Sequence, residues 1–264
     1  MVVSISAALL WRQPERSTPA EAKRITSAAS CCATLSRDGK LLAYASGIAG
    51  GVLHIWVQQT AGGEAIQVTR GSDLDFDPNF SPDGTHIAFA SARGGGGIFI
   101  VPTFSGEPKL LAASGSCPLF SPDGKQILYL DGPDAMIVSV DTGKRTSLSL
   151  NREFLVHELA LWSPDGNEVI FYGVSKREPD KPDKPWIAPL AGGEPRLLRL
   201  PGAEQDEAGW RVVPAWGSGK DGGQWIIYSL SKGEVWKVLR VGVSAQGEIQ
   251  GKAEQLFSGT GHLG

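Results

Sequence analysis

Phe80-Ser81-Pro82-Asp83-Gly84-Thr85-His86-Ile87-Ala88-Phe89-Ala90 is the stretch whose reading decides the fold. Proline presets φ for a turn, aspartate bonds its own backbone, and glycine accepts the positive φ that closes a hairpin. The apolar residues that follow, rich in Ile and Phe and bounded by turn formers, read as a strand. The tetrapeptide recurs at Ser121-Pro122-Asp123-Gly124 and Ser163-Pro164-Asp165-Gly166, with an imperfect copy at Ser36-Arg37-Asp38-Gly39. From Ser36 through Ser81 and Ser121 to Ser163 the steps are 45, 40 and 42 residues. A repeat of about 40 to 45 residues built from short strands is the sequence pattern of a β-propeller.

Each copy has the same grammar. An aromatic or apolar residue stands before the corner: Leu35, Phe80, Phe120 and Trp162. A second strand follows it, as in Leu42-Ala43-Tyr44-Ala45 and Ile127-Leu128-Tyr129-Leu130. A third comes next, as in Leu53-His54-Ile55-Trp56-Val57 and Ile98-Phe99-Ile100-Val101, and then a turn such as Gly62-Gly63-Glu64 and a short fourth strand. Four antiparallel strands per unit make one propeller blade. Nothing along the chain sustains a helical period, so almost no α-helix is expected. Asp83, Asp123 and Asp165 therefore read as turn formers rather than catalytic acids.

A fifth, degenerate unit contains Trp216, Asp221-Gly222, Trp225-Ile226-Ile227-Tyr228, Val235-Trp236-Lys237-Val238 and Glu254-Gln255-Leu256-Phe257. Its Gly217-Ser218-Gly219-Lys220 is no phosphate loop, because Asp221 stands where Ser or Thr is required and Pro214 where the first glycine belongs. The expected fold is all-β, a propeller of four-stranded antiparallel blades. Its units run over about 33–69, 77–112, 117–150, 158–199 and 211–257 within a propeller region 24–264. Arg24-Ile25-Thr26 looks like a further fourth strand ahead of the first unit. The expected arrangement is an incomplete propeller with a six- or seven-bladed parent, whose bare blade edges would self-associate; the alternative is a five-bladed ring with an N-terminal arm.

The 264 residues are 41% hydrophobic and 20% charged, enough to bury a core, and 34 glycines suit many tight turns. A net charge of −3 argues against nucleic-acid binding through phosphates. No stretch reaches the roughly 18 apolar residues that cross a membrane as a helix. The tail 1–23 begins with the apolar run Met1 to Trp11, followed by a polar, Pro-bearing linker. It lacks the leading Lys or Arg of a signal peptide. It reads either as the trailing half of a lost membrane helix, and so a tether, or as a disordered tail.

Catalytic signals are weak. No Gly-x-Ser-x-Gly elbow occurs, and Gly242 to Gln246 misses the final glycine. His54, His86, His157 and His262 are scattered over separate units. The alternating acids Asp73, Asp75 and Asp77 offer oxygen ligands to a hard cation, but the rest of a calcium loop is missing. Cys31, Cys32 and Cys117 form no C-x-x-C and read as small buried residues beside first strands. No catalytic, cofactor or metal site is assigned, and no cofactor is expected. Lys176 to Lys184 reads as a charged loop projecting from one face of the fourth unit.

The sequence Phe80-Ser-Pro-Asp-Gly-x-x-Ile-Ala-Phe89, then Ile98-Phe-Ile-Val101, then Gly106-Glu-Pro-x-Leu-Leu111, resembles the WD-like repeats of TolB-type propellers, over roughly residues 24 to 258. His54-Ile-Trp-Val-Gln-Gln59 with Gly62-Gly63-Glu64, and Trp186 to Leu190, is similar to bacterial receptor-like proteins in which such a propeller follows a serine/threonine kinase or a winged-helix domain and a membrane helix. The resemblance implies a non-catalytic sensory or docking module with a protein or peptide partner, periplasmic or otherwise extracytoplasmic. Neither kinase motifs nor a winged helix is present. The repeats also resemble the propeller that caps prolyl-oligopeptidase-type peptidases. The rival expectation is an enzyme, a propeller lyase or hydrolase whose His and acidic loop residues cluster at the channel mouth.

Overall fold

The computed structural model describes residues 30–47, 51–181, 183–202, 215–219, 222–232, 235–244 and 247–260. These form five four-stranded antiparallel sheets. Blade 1 holds β1 (Ser30–Leu35), β2 (Leu41–Ser46), β3 (His54–Gln59) and β4 (Ile66–Gln67); blade 2 holds β5 (Asp75–Phe80), β6 (His86–Ser91), β7 (Gly97–Pro102) and β8 (Lys109–Ala112). Blade 3 comprises β9 (Ser116–Phe120), β10 (Gln126–Asp131), β11 (Asp134–Ser139) and β12 (Arg145–Ser147). Blade 4 comprises β13 (Phe154–Trp162), β14 (Glu168–Ser175), β15 (Lys184–Pro189) and β16 (Arg196–Leu197). Blade 5 is β17 (Ala215–Ser218), β18 (Gln224–Lys232), β19 (Val235–Val243) and β20 (Ile249–Thr260).

The all-β propeller expected from the repeat is thus the observed architecture, and helical structure among the described residues is confined to two single 3-10 turns at Arg93–Gly95 and Leu150–Arg152. The outer strand of blade 5 is longer than the sequence pattern indicates, twelve residues rather than the four of Glu254 to Phe257. Arg24 to Thr26, the tail 1–23 and His262 lie outside the described residues.

Strand alternation explains how the blades join. Second-strand residues point by turns to the preceding and the following blade. Ile87 and Phe89 pack with Ala43, Ala45, Ile55 and Val57 of blade 1, whereas Ala88 and Ala90 pack with Ile127 and Tyr129 of blade 3. Leu128 and Leu130 meet Val169 and Phe171, and Ile170 meets Ile226 and Tyr228. Among the described residues four apolar clusters result, each spanning two consecutive blades. A sheet buried on both faces needs apolar residues at consecutive positions, which is why the second strands read as unbroken hydrophobic runs.

The residue ahead of each corner points back to the preceding blade. Phe80, Phe120 and Trp162 are 6%, 9% and 7% exposed, whereas Leu35 of blade 1 is 53% exposed. Blade 5 differs on its other side. Ile227 pairs with Arg240 where blades 2 to 4 pair Ala88 with Ile100, Leu128 with Ile137 and Ile170 with Ile187. Arg240 Nη2 lies 2.7 Å from Glu254 Oε2.

Candidate functional site

The strands alternate in direction, so each blade sends its features to two opposite faces. The first face carries the Ser-x-Asp-Gly corners between first and second strands. The second carries the connections from second to third strand and the links between blades.

On the corner face, four blades repeat one construction. The serine hydroxyl donates to the aspartate Oδ1 at 2.5–2.7 Å in Ser36–Asp38, Ser81–Asp83, Ser121–Asp123 and Ser163–Asp165. The same Oδ1 accepts the amide two residues on, from Lys40, Thr85, Lys125 or Asn167. The serine oxygen accepts the amide five residues on, and the glycine amide, at φ between +70° and +75°, donates back to the serine carbonyl. The Ser81 hydroxyl and the Thr85 amide and hydroxyl hold the Asp83 carboxyl down at about 2. Asp38 and Asp123 are lowered by the same serine and amide bonds. At Asp165 burial pushes upward, and the Ser163 and Asn167 bonds outweigh it. The acids are used up in turn formation, as the motif implies.

The loop face is different in every blade. Between blades 1 and 2 it carries a buried carboxylate, Asp75, which is 0% exposed. Arg93 Nε donates to Asp75 Oδ1 at 3.1 Å and Nη2 to Oδ2 at 2.6 Å, while Ser91 Oγ donates to Oδ1 at 2.7 Å. His54 Nδ1 approaches Oδ2 from blade 1 at 3.4 Å, and Arg93 Nη2 also bonds the Arg70 carbonyl in the inter-blade link. Burying a carboxylate is tolerated because Ser91 Oγ, Arg93 Nε and Arg93 Nη2 donate to its two oxygens. The hydrogen bonds and charge of Asp75 in turn raise the guanidinium of Arg93, against its own desolvation. Blade 3 places Asp131 beside Ser114 and Asp134 beside Ser147 on the same face. In blade 4 the strands β13 and β14 are longer than their counterparts in blades 1 to 3, and Arg177 in the charged β14–β15 connection pairs with Glu153 at 3.3 Å. The hairpin of β18 and β19 is likewise extended. Leu74, Leu155 and Val235 stand exposed on this face.

The structure separates the residues that sequence singles out. The acidic run does not converge: Asp75 is locked by Arg93, whereas Asp77, at φ 52°, turns to the next blade. Its Oδ2 accepts from the Cys117 amide at 3.2 Å and thiol at 3.4 Å. Cys117 is half-exposed rather than buried, because it sits at the bulge of an inner strand, itself at φ 52°. Asn79 Oδ1 accepts the Phe120 amide and Trp162 Nε1 donates to the Leu119 carbonyl, so inner-strand edges are bridged blade to blade by side chains. His54 lies on the loop face and His86 on the corner face beside Thr85, so these two do not meet. Among the described residues no three His, Cys, Asp or Glu side chains gather around a metal position. Arg93 carries no motif; its only sequence signal is its place ahead of Gly94 to Gly97, where a glycine-rich turn brings it back over the sheet.

Comparison with known proteins agrees with this geometry. The family model described as the TolB beta propeller domain matches residues 15–182. A TolB structure from Agrobacterium tumefaciens superposes with a TM-score of 0.66 at 20% identity, covering 89% of this chain and 83% of that one. A puromycin-hydrolysing peptidase of Mycobacterium tuberculosis superposes with a TM-score of 0.53 at 16% identity, over 76% of this chain and 34% of that one. At these identities both show the fold alone. A stretch of 80 residues is 39% identical to the uncharacterised peptidase YuxL of Bacillus subtilis, covering 28% of this chain and only 12% of the length of that relative. With the family match spanning more than half of its length and the blades built as the repeats require, the chain belongs to the TolB β-propeller domain family.

Proposed function

We propose that this propeller is a non-catalytic binding module that recognises a protein or peptide partner through its loop face, within a larger signalling or envelope protein. The observation that carries this reading is the contrast between the faces. The corner face repeats one hydrogen-bonded construction in blades 1 to 4, where it serves the fold alike. The loop face carries the differences: a buried Asp75–Arg93 pair, two elongated hairpins, and exposed Leu74, Leu155 and Val235. Rigid scaffolds with variable loops on one side are built for recognition. The test is a photo-crosslinking residue placed at Leu74 or Leu155, against one at Phe104 in the β7–β8 turn at the corner end, in cells of the source. Adducts from the first two and not the third are expected; equal yields from both faces would refute the assignment.

A second reading is favoured by the 39% identical stretch shared with a peptidase. In it, the propeller is the non-catalytic cap of a prolyl-oligopeptidase-type enzyme and covers the active site of a separate catalytic domain. Co-purification with a hydrolase domain, and peptide turnover that appears only when the two are combined, would select it over the signalling module.

A further inference from the structure

A cleft of about 450 Å³ opens between blades 3 and 4, bounded by β12 and the link that follows it on one side and by the β15–β16 turn on the other. Its floor is Leu150, Phe154 and Ala188, which also belong to the apolar cluster joining the two blades. The cleft is therefore the outer continuation of that joint. Blade 4 ends in an outer strand of only two residues, Arg196–Leu197. The blade 4 wall of the cleft runs from Pro189 to Pro195, and proline offers no amide for strand pairing.

The opposite wall is β12, whose three residues are all exposed. Ser139 N–H donates to the Lys144 carbonyl and Leu148 N–H to the Ala135 carbonyl, so 144, 146 and 148 turn their amides towards β11. Alternation in an antiparallel ladder then directs the N–H and C=O of Arg145 and Ser147 outward. The cleft is lined by one cation and two acids, Arg152, Glu153 and Glu194, and Glu153 is paired with Arg177 at 3.3 Å, so no single sign of charge dominates its rim. We propose that this cleft takes an extended, uncharged peptide segment with apolar residues at alternate positions, which adds to β12 as a fifth strand of blade 3. Backbone bonds to Arg145 and Ser147 set its direction, and alternate side chains enter the floor beside Leu148 and Leu190. This deepens the reading of the chain as a binding module, but it assigns a different surface from the loop face.

The experiment is hydrogen exchange of the whole chain with a panel of blocked, neutral hexapeptides carrying Val or Leu at alternate positions. At least one peptide should slow exchange in segments 144–150 and 188–195. Ala191→Trp and Thr146→Trp, both at exposed cleft positions, should weaken that binding about tenfold or more while leaving the melting curve in place. Slowed exchange only on the loop face overturns the cleft yet leaves the binding module standing. No slowed exchange with any peptide, or unchanged binding by both Trp variants, also overturns it.

Discussion

Arg93 meets Asp75 side-on, Nε at 3.1 Å from one carboxylate oxygen and Nη2 at 2.6 Å from the other, with the Asp75 side chain wholly out of solvent and the Arg93 side chain 21% exposed. The exposure difference makes the pair asymmetric. Removing the arginine strands a buried charge, whereas removing the acid leaves a cation that can turn to water. We predict that Arg93→Ala costs about 3 to 5 kcal/mol and more than Asp75→Ala, while His54→Gln, at the end of a 3.4 Å contact, costs below about 1 kcal/mol. Urea unfolding of the three variants gives the order; an Asp75→Ala cost above that of Arg93→Ala would show the argument wrong.

The corner acids make stability depend on pH in a defined direction. Asp83 is held at about 2 against an ordinary 3.8, so it binds its proton more readily unfolded than folded. Its stabilisation is complete above the ordinary value and is lost as pH falls through about 2. Ser81→Ala removes the leading cause of the shift, so Asp83 should titrate closer to 3.8 and the acid limb of stability should flatten between these values. Carboxyl titration by NMR, with melting curves across the same range, checks both.

The residue before the corner reports what lies next to each blade. Trp162 is buried against blade 3 and bonded to the Leu119 carbonyl, so Trp162→Ala should cost about 3 to 5 kcal/mol. Leu35 holds the matching place in blade 1 but is 53% exposed, and Leu35→Ala should cost below about 1 kcal/mol. Chemical denaturation that finds equal losses would contradict the packing described.

Gly115 lies at φ +115°, and a Cβ there would stand 2.4 Å from the Tyr129 ring. Gly115→Ala combines backbone strain with overpacking of the joint between blades 2 and 3, and about 2 kcal/mol or more of destabilisation is expected. A melting temperature unchanged from the parent would rule this out.

Much of the fold was legible because its signals are local. Ser-x-Asp-Gly closes on itself within six residues, so the corner in sequence is the corner in space. The Ile, Phe and Tyr runs of β6, β10 and β14 name the strands buried on both faces. The candidate site was less legible. Asp73, Asp75 and Asp77 look alike in the chain, yet Asp75 takes Arg93 and Asp77 takes Cys117, 40 residues away. The half-exposed state of Cys117 follows from the bulge in β9, which residue type does not announce.

Local turn chemistry and hydrophobic alternation therefore determined, from sequence alone, that the chain folds as four-stranded blades and in what strand order. Tertiary structure decided which buried charges are paired, which inner edges are bridged between blades, and where a cleft stays open. The reason is one of range. A turn bonds to itself across a few residues, whereas a carboxylate such as Asp75 takes its partners from a glycine-rich turn and a neighbouring blade that only the packed sheets bring within reach.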